Sequence, residues 1–147
     1  MPRRARTRRP VVDSRRFPRG LLDTSIVIDL DHLDPSQLPM EAAVSAVTMA
    51  ELAAGPHATA DVDERARRQD RLQRAEAAFD PLPFDLESAR AYGRVFAAVV
   101  AAGRKARGAR AVDLLIAAAA LAHGLPLYTS NGEDVRALEG LVDVVVV

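Results

Sequence analysis

At 147 residues, 49% hydrophobic but only 4% aromatic, the chain is long enough for one domain, whose core must be built from Ala, Val and Leu. It has no cysteine, which excludes a disulfide framework and a thiolate metal site; with no apolar run of membrane-spanning length and no apolar leader, a cytoplasmic protein is expected, away from membranes. The net charge of zero hides an asymmetry: residues 1–20 carry eight arginines against Asp13 alone, a net of +7, which leaves −7 on the rest.

The basic arm is assigned to residues 1–18 and a folded domain to 19–147. Such an arm suits contact with nucleic acid or an acidic partner, and equally a solvated tail. "GLLDTS" (20–25) predicts a short buried strand and "SIVIDLDHL" (25–33) a helix, followed by a "PSQLP" loop. "AAVSAV" (42–47) reads as a second strand, and Thr48-Met49-Ala50-Glu51 carries a capping-box pattern opening a helix that Gly55-Pro56 ends. Residues 62–78 form an Arg/Ala/Glu-rich helix, and "DPLPFD" (80–85) an extended piece whose prolines suit a sheet edge. From Leu86 to Ala102 apolar residues recur at 89, 92, 95, 96, 99 and 100, which is helical spacing. "GRKARGAR" (103–110) is a basic loop, and residues 111–123 form a helix apolar on all faces, closed by His123-Gly124. "LPLYTS" (125–130) and "LVDVVVV" (141–147) are the last strands. Strands alternating with helices imply an α/β fold with parallel pairing through right-handed crossovers. In such sheets ligands gather at the carboxyl edge, where the strand order reverses.

Three acids stand where an apolar strand or loop gives way to an apolar helix: Asp23, Glu51 and Asp113. Asp113 carries the strongest signal. Its helix should be buried, and a first-turn acid gains about 0.3–1 kcal/mol from the helix dipole. Burying an unpaired charge costs several kcal/mol, which the dipole does not offset. Asp23 before Thr-Ser also reads as a helix N-cap, and Glu51 as the acid of a capping box. Delivered together to one sheet edge, three carboxylates repel one another unless a divalent cation shares them. After "LPLYTS", Asn131 or Asp134 could complete a metal shell directly or through water; a helix N-terminus capped by Ser130 or Asn131 accounts for the same residues. Asp29, Asp31 and Asp34 read as a solvated face. His32, His57 and His123 lack zinc-site spacing, and neither a phosphate-binding GxxxxGK[ST] loop nor a GxGxxG turn is present.

On these residues the chain resembles the PIN-domain family, and within it the VapC-type toxins of bacterial toxin–antitoxin pairs. The matching pieces are "LLDTS", "VTMAEL" followed by Gly55, "AVDLLIAAAALAHGLPLYTSN" and a closing Val-rich strand, in the family's order over roughly residues 19–147. The resemblance implies a three-layer α/β/α sandwich with a central, mostly parallel sheet. It implies Asp23, Glu51 and Asp113 as metal-binding acids, with Asn131 where relatives carry Asp or Asn and Asp134 three residues on. The implied activity is endonucleolytic cleavage of RNA by a toxin that a cognate antitoxin inhibits, and homodimerisation is implied likewise. Oxygen ligands alone suit Mg²⁺, with Mn²⁺ as substitute. Asp23 and Asp113 would hold the ion directly, and Glu51 would bind it or orient the attacking water. Arg104, Lys105, Arg107 and Arg110 before Asp113 are candidate RNA contacts, as is the run Arg65, Arg67, Arg68, Arg71 and Arg74, which reads equally as a solvated face. The competing expectations are a catalytically weak PIN-like module that binds RNA or protein, and an α/β interaction module whose acids are all helix caps.

Overall fold

The computed structural model describes residues 17–104, 109–132 and 136–147, the side chains of residues 109 and 110 excepted. Four short strands form one sheet: β1 (Arg19–Leu22), β2 (Glu41–Ala43), β3 (Leu127–Thr129) and β4 (Val144–Val146). All pairs are parallel, in the order β2-β1-β3-β4, with Leu21 opposite Ala43 on one side and Leu127 on the other. β1 is the hinge of this order. The chain leaves it toward β2 on one side and later returns as β3 on the other, so the carboxyl ends of β1 and β3 flank the switch point.

Alternation along β1 divides the core in two. Leu21 packs with α4 (Leu86–Ala101) and α5 (Ala109–His123); Leu22 packs with α1 (Thr24–Ile28), α2 (Ala46–Ala54) and α3 (Val62–Ala78). Helices thus cover both faces of a parallel sheet, the layered α/β arrangement expected. The α4–α5 layer is built mostly from small side chains, with Ala91, Val95 and Val99 against Ile116 to Ala120. Gly20 is required by packing: a Cβ there would collide with the ring of Tyr128. Phe17 belongs to the Leu22 cluster, and the carbonyls of Phe17 and Pro18 accept the N–H groups of Met40 and Glu41 at 3.2 and 2.9 Å.

Several boundaries differ from the sequence expectation. α1 stops at Ile28, and Leu30–His32 forms a single 3₁₀ turn, with Leu30 and Leu33 still packed against the Leu22 cluster. α2 begins at Ala46 with Ser45 as its cap, the Ser45 hydroxyl accepting the Thr48 N–H at 3.2 Å. Thr48-x-x-Glu51 is therefore not a capping box. The reason is tertiary: the "DPLPFD" segment bridges to the sheet at Leu82, whose carbonyl takes the Ala46 N–H at 2.8 Å and ends β2 early. On α4 the buried stripe is Ser88, Ala91, Val95 and Val99, while Phe96 and Val100 are 42% and 53% exposed. α3 spans the residues expected, and α5 ends at His123 with Gly124 at φ +64, the left-handed conformation that suits a helix terminator.

Candidate active site

Asp23 is the residue that follows β1, and its backbone N–H donates to the Tyr128 carbonyl at 2.9 Å, extending the ladder to the sheet's carboxyl edge. Asp23 is 9% exposed, and its carboxylate is held by neutral donors. Oδ1 accepts the Ser25 N–H at 3.2 Å, capping α1, and Oδ2 accepts the Thr129 hydroxyl at 2.7 Å. Asp23 is thus both a helix cap and an acid at the switch point. Thr129 in turn accepts the Asn131 N–H at 3.1 Å, and the Ser25 hydroxyl accepts the Ser130 N–H at 3.3 Å, so the turn after β3 is tied to the start of α1.

Glu51 reaches the same place from α2. The Thr24 hydroxyl lies 2.5 Å from Glu51 Oε1 and 3.1 Å from the Thr48 hydroxyl. A hydroxyl has one proton and a carboxylate only accepts, so Thr24 donates to Glu51 and takes the Thr48 proton. Neighbouring residues Asp23 and Thr24 thereby place two carboxylates at one edge of the sheet. With α2 starting at Ala46, Glu51 stands beyond the first turn, and the capping explanation for this acid fails.

Asp113 is the fifth residue of α5, also past the first turn, and only partly buried rather than enclosed as its helix suggests. The cap explanation fails here too. Among the described residues, however, no three His, Cys, Asp or Glu side chains are gathered as they would be around an ion. The structure joins Asp23 to Glu51 through Thr24. The donors are carboxylate and hydroxyl oxygens, with neither thiolate nor imidazole, and that chemistry fits a hard divalent cation. Asp134, Lys105 and Arg107 lie outside the described residues, as does the side chain of Arg110; Arg104 is described and partly buried.

A cleft of about 360 Å³ opens beside Glu51, lined by Thr24, Ile28 and Leu52 on one wall and by Glu64, Arg68 and Arg71 of α3 on another. The Arg68 and Arg67 guanidiniums hold the Glu64 carboxyl below its usual range. The hydroxyls of Thr24, Thr48 and Thr129 were not singled out as site residues from the sequence. Their signal was adjacency: each stands within three residues of Asp23, Glu51 or Asn131.

The PIN-domain family model matches residues 21–141, which contain Asp23, Glu51 and Asp113. The chain belongs to the PIN-domain family. It is 36% identical over 131 residues to Ribonuclease VapC5 of Mycobacterium tuberculosis, an alignment covering 87% of this chain and 93% of that protein. Ribonuclease VapC1 of Rickettsia felis is 29% identical over 82% of this chain and 91% of its own length. Among solved structures, VapBC-5 from M. tuberculosis, a member of the VapBC family of toxin–antitoxin systems, superposes with a TM-score of 0.78 at 36% identity, covering 88% of this chain and 99% of that one. Among the described residues of this PIN domain, no helix is long and apolar enough to cross a membrane.

Proposed function

We propose that this PIN domain is the toxin of a toxin–antitoxin pair, an Mg²⁺- or Mn²⁺-dependent endoribonuclease inhibited by a cognate antitoxin. The observation that carries the reading is the Asp23–Thr24–Glu51 constellation at the switch point, in a chain similar to two VapC ribonucleases. Asp23, Glu51 and Asp113 would hold the cation, with Asn131 or Asp134 as a further oxygen ligand. Bound there, the ion supplies charge neutralisation at the phosphodiester and a more acidic water. The chain's own residues do the positioning. Thr129 and the Ser25 N–H fix the Asp23 carboxylate from two directions. Thr24 holds Glu51 Oε1, leaving Oε2 to orient the attacking water. Arg104, Lys105, Arg107 and Arg110 precede Asp113 in the chain and would supply contacts to RNA phosphates. The partners are RNA, the antitoxin and a second copy of the chain, for which exposed Phe96 and Val100 on α4 offer an apolar surface.

The test is cleavage of a structured RNA with Mg²⁺, Mn²⁺ or EDTA, comparing wild type with Asp113→Asn. Cleavage should need the metal and vanish in the variant at unchanged melting temperature; full activity in Asp113→Asn would refute the assignment. A second reading, a catalytically weak module that binds RNA or protein, draws on the neutral amide of Asn131 and on the lack, among the described residues, of three gathered acids. Thermal stabilisation of wild type by Mn²⁺, lost on adding EDTA, favours the metal site over it.

A further inference from the structure

α3 carries five arginines, and four are engaged within the protein. Arg65 donates to the carbonyls of Pro56 and Thr59 at 3.2 and 3.1 Å; Arg67 pairs with Glu64; Arg68 bonds Glu64 and the Gly55 carbonyl; Arg74 pairs with Asp31 and Asp70. Arg71 alone of the five has no hydrogen bond or ion pair among the described residues. It is nevertheless partly buried. Its position explains why: Glu64, Arg68, Arg71 and Ala75 follow one another at helical spacing, and Ala75 is a core residue, so this stripe turns inward. A guanidinium cannot lose its proton at any ordinary pH and gives up hydration on burial, so an inward-turned one that makes no ion pair or hydrogen bond among the described residues suits an anion. Arg71 lines the same cleft as Thr24 and Glu51.

We propose that Arg71, with Arg68 one turn away, seats a backbone phosphate of single-stranded RNA in the cleft whose facing wall carries Glu51. This rests on the ribonuclease reading and shifts part of the phosphate grip from the 104–110 segment to α3. The guanidinium fork matches phosphate oxygens with two parallel hydrogen bonds. An acidic peptide would meet the same fork. RNA is favoured because the cleft leads to the acid assigned to the reaction, where a phosphate has to come; Arg71 also borders the neighbouring cleft lined by Val27, Leu30, Asp31, Arg74 and Phe79, and the antitoxin arm of the test covers a peptide there.

The experiment measures binding of a fluorescent single-stranded RNA to the full chain in EDTA, where cleavage is suppressed, across a salt series. Arg71→Gln should weaken binding about tenfold or more and make the log–log salt slope shallower by about 0.7, the share of one single-strand phosphate contact. Arg94→Gln removes the same charge from an exposed position on α4 and should change affinity less than about twofold. Arg71→Lys, which keeps the charge and loses the fork, should restore the slope and part of the affinity. In the cleavage assay Arg71→Gln should raise KM more than it lowers kcat. Equal affinities and slopes for Arg71→Gln and Arg94→Gln overturn the proposal. So does unchanged RNA affinity with weakened binding to the purified antitoxin, which assigns Arg71 to that partner. A wild-type chain that binds RNA through Arg71 and never cuts it sinks the ribonuclease reading and leaves the phosphate seat standing.

Discussion

Thr129 and Asp23 are 106 positions apart in the chain, yet one hydroxyl proton joins them at 2.7 Å in a buried setting. The same oxygen accepts the Asn131 N–H, so Thr129 satisfies two polar groups at once. Replacing it with valine keeps the shape and strands both. Each polar group left unsatisfied on burial costs about 1–3 kcal/mol, with the carboxylate at the upper end. Thr129→Val should therefore lower the free energy of unfolding by about 2–4 kcal/mol in urea titrations, while Thr129→Ser, which keeps the hydroxyl, should lose less than about 1 kcal/mol. Equal losses in the two variants would show that the methyl group, not the hydrogen bond, anchors the acid. The same logic makes Asp23 more than a metal candidate, since its other oxygen caps α1. A carboxylate can serve both roles because its two oxygens offer separate acceptor sites.

At the scale of elements, carboxylates fix where helices begin. Asp61 starts α3 and Asp85 starts α4, accepting the N–H groups of Glu64 and Ser88 at 2.9 Å each, and Asp34 does the same for a short 3₁₀ turn through Ser36. These backbone hydrogen bonds hold all three carboxyls below their ordinary 3.8. A folded-state pKa below the unfolded one gives stability that is complete above 3.8 and disappears as pH falls through the lowered values. The melting temperature should thus be level from about pH 7 to 5 and fall below about pH 4. The double variant Asp61→Asn, Asp85→Asn keeps both caps without the charge, so its acid limb should be shallower; an equally steep limb would show that other carboxylates govern it. Caps of this kind are what made α3 legible in the sequence, since Asp61 precedes a long Arg/Ala/Glu run with no competing start. α2 was less legible because Ser45-x-x-Thr48 and Thr48-x-x-Glu51 both offer a plausible start. What decides between them is the Leu82 carbonyl, supplied from 36 residues away. On α4, two overlapping apolar stripes fit helical spacing. Which one is buried depends on how α5 packs, and no local pattern carries that.

For the molecule as a whole, topology delivers Asp23 and Glu51 to one edge, and the strand–helix alternation made that much readable. The hydroxyl that links them was not, because Thr24 meets Glu51 only once α2 packs beside α1, a contact 27 residues apart in the chain. Charge is distributed on the same large scale. Residues 1–16 carry seven arginines against Asp13, a net of +6, so the rest of the chain is −6 overall. An acidic body repels an RNA backbone at long range, and a basic arm offsets that repulsion by releasing counterions from the phosphates it meets. A chain beginning at Phe17 keeps the residue that packs against the Leu22 cluster and the two carbonyls that bond β2, so its melting temperature should match the full chain within about 2 °C. Its RNA affinity should fall, most strongly at low salt, and its salt slope should become shallower by about 0.7 for every arginine that had engaged a phosphate. Affinity and slope unchanged by the truncation would show that the arm takes no part in holding RNA and that α3 and the 104–110 segment suffice.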